Sequence, residues 1–200
     1  LGYGYLDTWH GWATLALLPV AAGAVVLTRR LCPGGLNLAS GWKPARWASR
    51  EGIGRLMWIL SSLGLIGAGA TIMVVGMTAV FVPSDLEFIG YTRAQLHDIN
   101  PRLIPLIAHD RACCGGGLFT TCILMLGIIL KASPSTHVCQ AVVSAAFAGF
   151  SVAVGVHYPI RYMDTLHLLP AWAGAAGFAV GAILSKKWYF SGGGTVSSST

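Results

Sequence analysis

The chain has 200 residues, 54% hydrophobic and 10% charged, with a mean hydropathy of +0.66 and a net charge of +6. A soluble domain carries about 25% charged residues, so this composition excludes an ordinary water-soluble globule and points to an integral membrane protein. The bases flank apolar runs rather than forming a continuous patch, which sets nucleic acid aside as a partner in favour of membrane orientation. The chain opens at Leu1 rather than Met, which predicts processing or trimming ahead of it.

A helix that crosses a bilayer needs about 20 mostly apolar residues. Five stretches qualify: Trp9–Thr28, Leu56–Val82, Ala112–Leu130, Val138–Val156 and Leu166–Leu184. Strict apolar–polar alternation is absent and Ala, Leu and Gly dominate, so helices rather than strands satisfy the backbone in lipid. The expectation is an all-α integral membrane bundle of five transmembrane helices. It forms one domain over residues 1–190, followed by a flexible tail at 191–200, SGGGTVSSST from Ser191 onward.

Between the first two runs lies a Pro-, Gly- and base-rich segment, Leu31–Gly54. There and just beyond it Trp42, Trp47 and Trp58 alternate with Lys43, Arg46 and Arg50, a pattern suited to anionic headgroups. Within the second run, Gly64, Gly67, Ala68 and Gly69 mark a small-residue face, as Gly174, Gly177 and Gly181 do in the fifth; such faces let helices approach closely in lipid. Pro19 and Pro170 are expected to kink their helices.

Phe81–Gly117 is the longest polar interval. Ser84-Asp85-Leu86-Glu87 and Thr92-Arg93-Ala94-Gln95 each fit a capping box, and Pro101 and Pro105 follow. Two short helices and an ordered outer loop are predicted, with Ile99, Leu103 and Ile107 shielded. The interval closes on His109-Asp110-Arg111 and then on Gly115, Gly116 and Gly117, where other backbone could come close.

With five spans, one side of the membrane collects nine bases: Arg29, Arg30, Lys43, Arg46, Arg50, Arg55, Lys131, Lys186 and Lys187. The other side holds Arg93, Arg102, Arg111 and Arg161 together with six of the seven acids. The positive-inside rule then puts the N-terminus outside, the C-terminus inside and Phe81–Gly117 on the outer face.

Four histidines fall at the outer mouths of four spans: His10, His109, His157 and His167. Two of them lie in a repeated motif. Asp7-Thr8-Trp9-His10 opens the first span and Asp164-Thr165-Leu166-His167 the fifth, each followed by Leu-Leu-Pro. Imidazole and carboxylate are the groups a zinc or copper site requires, so the candidate metal set is His10, His109, His157, His167, Asp7, Asp110 and Asp164. The plainer reading makes the aspartates helix caps and the histidines interface residues. Haem or chlorophyll ligation is a further alternative, needing two histidines at one depth. No C-x-x-C pair, nucleophile elbow or phosphate loop occurs, and the span interiors hold no ionisable residue of the kind a proton or ion pump would need. Of the five cysteines, Cys113, Cys114, Cys122 and Cys139 lie in or beside apolar spans and read as small apolar fillers; the fifth is Cys32.

The strings TWHGWATLALLP, FVPSDLEFIG, NPRLIPLIAHDRA and GVHYPIRYMDTLHLLPAW resemble a family of bacterial multi-pass membrane proteins over most of Tyr5–Leu184. The resemblance implies a bacterial inner (cytoplasmic) membrane and brings no activity or functional residue with it. It also implies Gly-Phe where this chain has Cys113-Cys114. Three functions stay open: a non-enzymatic subunit of a larger membrane assembly, a metal-binding protein or membrane metalloenzyme with an outer His/Asp site, and a haem or chlorophyll carrier. The partners implied are the lipid bilayer and other membrane subunits.

Overall fold

The computed structural model describes residues 8–31, 47–132 and 136–191, with no side-chain placement for residues 8–11, 13, 14, 25, 28, 29, 31 and 187–191. Described residues form helices and connecting turns, with no strand among them. In chain order the helices are α1 (Thr8–Leu31), α2 (Arg50–Met77), α3 (Pro83–Ile89), α4 (Arg93–Ile99), α5 (Leu103–Lys131), α6 (Thr136–Gly155), α7 (His157–Ile160) and α8 (Thr165–Ser191).

Four helical segments are long and apolar enough to cross a membrane: Arg50–Met77, Leu103–Lys131, Thr136–Ile160 and Thr165–Lys186. They are compatible with a multi-pass membrane protein. In α1 the apolar helical stretch is shorter, Leu15–Ala24, and every α1 side chain the structure describes is exposed. Several helix bounds differ from expectation. α5 starts at Leu103 rather than Ala112, because Pro105 falls in its first turn, where backbone N–H groups have no intrahelical partner to lose. α2 starts at Arg50, where Ser49 Oγ accepts from Gly52 N at 3.0 Å, and stops at Met77 short of the expected Val82.

α2 is the central helix. α5 lies antiparallel on one side of it, α8 antiparallel on another, and α6 packs on α8. Glycines set the contacts. A β-carbon added to Gly69 would sit 2.6 Å from Phe119 N, and one on Gly76 2.8 Å from Ala112 N, so α2 and α5 touch backbone to backbone. Gly115, in the expected Gly-Gly-Gly, meets Met73 and Gly69 from the opposite side. Between α2 and α8 the pair is Gly54 and Gly181: a β-carbon on either would lie 2.9 Å from the other's carbonyl oxygen. The small-residue faces read from sequence are thus split: Gly69 and Gly181 are closed contacts, while Gly64 and Gly67 have nothing within 4 Å among the described residues.

The main core lies toward the end where α2 begins. It joins Trp58, Met125, Ile129, Cys139, Val142, Ala146 and Phe178. Trp58 is fully buried, stacks on Phe178 with ring centroids 5.2 Å apart, and its Nε1–H donates to Phe178 O at 3.0 Å. This corrects the headgroup reading of Trp58. The helix reaches back to Arg50, and residue 58 turns toward α8; Trp42 lies outside the described residues and Trp47 is exposed. Arg55 is buried as well, its Nη2 donating to Ile129 O at 2.9 Å and Leu130 O at 3.1 Å. There its positive charge meets the negative end of the α5 dipole. Cys122 and Cys139 are buried fillers as expected, whereas Cys113 and Cys114 are exposed.

At the opposite end a second core joins Val80, Phe81, Leu96 and Ala108, with Leu86, Ile89, Leu103, Ile104 and Ile107 packed on it. The interval between α2 and α5 is therefore ordered. Thr92 caps α4 by the expected box: its N–H donates to Gln95 Oε1 at 2.8 Å and its Oγ1 accepts from Gln95 N at 3.3 Å. The first box is displaced, since Pro83 opens α3 and Asp85 Oδ2 accepts from Val82 N at 2.8 Å. Leu103 and Ile107 are half-buried, but Ile99, at the end of α4, is exposed. Val80 is held at a φ of 62°, costly for a β-branched residue, in the turn that delivers the chain from α2 into this core.

Candidate functional site

The densest polar cluster sits at this second end, where α3, α5 and the α7–α8 corner meet. Asp85 is its centre, buried at 4% exposure. Besides capping α3, its Oδ2 meets Arg111 Nη2 at 2.7 Å, and its Oδ1 accepts from Tyr162 OH at 3.1 Å. A buried carboxylate is tolerated only when its lone pairs are met, and here three donors meet them. Tyr162 OH also lies 3.2 Å from Ser84 Oγ, so Ser84 joins the cluster although it does not cap the helix. Burial raises the Tyr162 pKa, and the Asp85 and Asp164 charges add to the rise, opposed by the Ser84 hydrogen bond.

Around Tyr162 three rings gather, that of His157 stacked on it and those of Phe88 and His167 tilted. Phe88 lies 4.7 Å away by ring centroid, His167 5.1 Å and His157 5.9 Å. His157 and His167 are 5.2 Å apart, tilted by 52°. His157 Nδ1 is buried with no hydrogen-bond partner among the described residues. Arg161, with a φ of 58°, ends α7 and turns the chain so that Tyr162 points back at Asp85.

Among the seven residues expected to gather at the outer face, His157 and His167 come together. His109 forms a separate group on α5: its Nδ1 lies 3.0 Å from Asp110 Oδ1 and its Nε2 3.5 Å from Cys113 Sγ. Asp164 takes the plainer role, its Oδ1 accepting from Leu166 N at 3.0 Å at the start of α8. Asp7 and the His10 side chain lie outside the described residues. Among the described residues no group of three His, Cys, Asp or Glu is placed to hold a metal ion.

Sequence reasoning missed Asp85, Arg111 and Tyr162 as a unit. Their separations along the chain are large, 77 residues between Tyr162 and Asp85, so no local spacing could reveal them. The available signal was weaker: a Pro-Ser-Asp helix start, and Tyr162 two residues before the repeated Asp-Thr-x-His. Compared with known proteins, the chain matches no family model, no curated protein and no solved structure.

Proposed function

We propose that this chain is a non-enzymatic multi-pass subunit of a larger assembly in a bacterial inner membrane, with α1 as a fifth span and the Asp85 cluster on the outer face. One observation carries the reading. Glycines that meet a neighbouring helix in this fold do so tightly, yet Gly64 and Gly67 on α2 have nothing within 4 Å among the described residues. They lie in an exposed stripe with Leu60, Thr71 and Val74, on a face that neither α5 nor α8 covers. In lipid, apolar exposure alone attracts no partner, but glycines on a helix face allow the close backbone approach that drives association. Thr71 Oγ1 donates to Gly67 O at 2.9 Å, so the stripe carries no unmet hydroxyl.

The test is a photo-cross-linking residue at Gly67, activated in native membranes. An adduct with another polypeptide is expected. Adducts confined to lipid, or to α1 of the same chain as shown by peptide mapping, remove the subunit reading at this face.

A second reading rests on the histidine pair. Two imidazoles on one tetrahedral zinc place their ring centroids about 5 Å apart, because each nitrogen lies about 2.0–2.1 Å from the metal. The 5.2 Å separation of His157 and His167 meets that requirement, and the unpartnered His157 Nδ1 is a donor atom to spare. His10 and Asp7 would supply the remaining ligands. Metal analysis of purified wild-type protein, His157→Ala and His167→Ala decides: bound zinc or copper should be lost from both variants. Equal content in all three would end the proposal.

A further inference from the structure

The chain between α2 and α5 carries two helices of seven residues, α3 and α4, and each buries a single side chain: Asp85 in α3 and Leu96 in α4. A helix this short has little stability of its own in water, so it depends on what ties it to the rest of the fold. One tie is apolar. Leu96 is buried with Phe81 and Ala108, and Leu86 and Ile89 of α3 pack against the same group. The other tie is polar and converges on one carboxylate. Asp85 reaches α5 through Arg111 Nη2 at 2.7 Å and the α7–α8 corner through Tyr162 OH at 3.1 Å. The Phe88 ring, 4.7 Å from that of Tyr162, adds to the second link.

Both ends of this segment are turns. Val80 stays with α2, its N–H donating to Val75 O at 2.7 Å, and its φ of 62° turns the chain there. A β-branched residue holds that conformation only while its surroundings impose it. At the far end Asn100 leaves α4 in extended backbone, and Pro101 follows with no N–H to continue a helix. Gly90, at a φ of 74°, ends α3 within the segment.

We infer that residues 83–99 form a lid over this end of the bundle, swinging as a unit about Val80 and Pro101, with Asp85 as its latch. Closed, the lid covers Phe81 and Ala108 and holds Arg111 and Tyr162 on one carboxylate. Open, it releases the guanidinium and the phenol together to the water at that end. Strain at Val80 favours opening, and the two polar links of Asp85 oppose it. This inference is independent of the subunit reading and of metal at the histidine pair.

Hydrogen exchange of the full chain in lipid nanodiscs, read by mass spectrometry, tests it. A detached helix of this length loses its internal hydrogen bonds, so each opening registers as exchange of the α3 and α4 amides. Tyr162→Phe keeps the ring and removes one hydrogen bond to a charged acceptor, so it should speed exchange in both helices by a common factor of about tenfold. The amides of α2 and α5 around Gly69 and Gly115 should keep their wild-type rates. Asp85→Asn still offers an oxygen to Val82 N but loses the ion pair, and should speed both helices further. Glu87→Gln, on an exposed side chain of α3, should leave every rate as in the wild type. Acceleration of α3 without α4 overturns the inference, because the two then do not move as one lid. Equal acceleration in α2 and α5 also overturns it, since Asp85 would then hold the whole fold rather than a lid. Unchanged exchange of α3 in Tyr162→Phe and Asp85→Asn does so as well. Should Asp85→Asn fail to fold, Tyr162→Phe decides by the same comparison.

Discussion

Tyr162 sets a neutral phenol against a buried carboxylate, and its proton is part of what holds the corner between α7 and α8 to α3. With its pKa raised chiefly by burial, the folded chain keeps that proton to higher pH than the unfolded chain does. The stabilisation is therefore complete below the ordinary tyrosine value of about 10 and is lost as pH rises through the higher folded value. Tyr162→Phe removes the hydroxyl that donates to Asp85. The difference in melting temperature between wild type and this variant should be largest below about pH 10 and shrink above it, as measured by thermal unfolding in one detergent. A difference that stays constant from pH 8 to 11 would show that the proton plays no part.

Among the elements, α2 and α5 depend on glycine for their separation. The test is a contrast on one helix pair. Gly69→Ala and Gly115→Ala push a β-carbon into backbone atoms that cannot step aside, and each should destabilise the fold by about 1–3 kcal/mol. Gly117→Ala and Gly127→Ala put the same methyl where nothing lies within 4 Å, and should be neutral or stabilising by up to about 1 kcal/mol through helix propensity. Thermal unfolding of the four variants side by side checks this. Four equal effects would mean that the α2–α5 contact is looser than the glycines require.

For the whole molecule, the helix ends separate charge. Arg50, Arg55, Lys131 and Lys186 cluster at the end where α2 starts and where α5 and α8 finish. Asp85, Glu87, Asp98, Asp110 and Asp164 belong to the opposite end. On the positive-inside rule, the proposed orientation puts the basic end in the cytoplasm. Reporters fused at Thr200 and inserted near Gln95 should therefore read inside and outside respectively. A third reporter ahead of Tyr5 should read outside if α1 crosses as a fifth span, and inside if α1 lies along the cytoplasmic surface. The first two reporters on the same side would overturn the orientation altogether.

Composition and apolar run length by themselves determined the all-helical class, because lipid leaves the backbone few other ways to pair, and four of the five expected runs are membrane-length helices; the capping boxes and prolines pointed to the ordered interval between Phe81 and Gly117. Local chemistry was equally legible where it acts within one turn: the Thr92 and Gln95 cap, Asp164 at the start of α8, and His109 beside Asp110. Only the tertiary structure decided the rest. It showed that Gly69 and Gly115 close a contact while Gly64 and Gly67 stay open, and that Trp58 and Arg55 turn inward rather than toward headgroups. It also showed that Asp85 ends beneath Tyr162. Each of these depends on which side of a helix meets which neighbour. In a chain apolar on nearly every side, periodicity carries little of that information, so packing of small residues makes the choice.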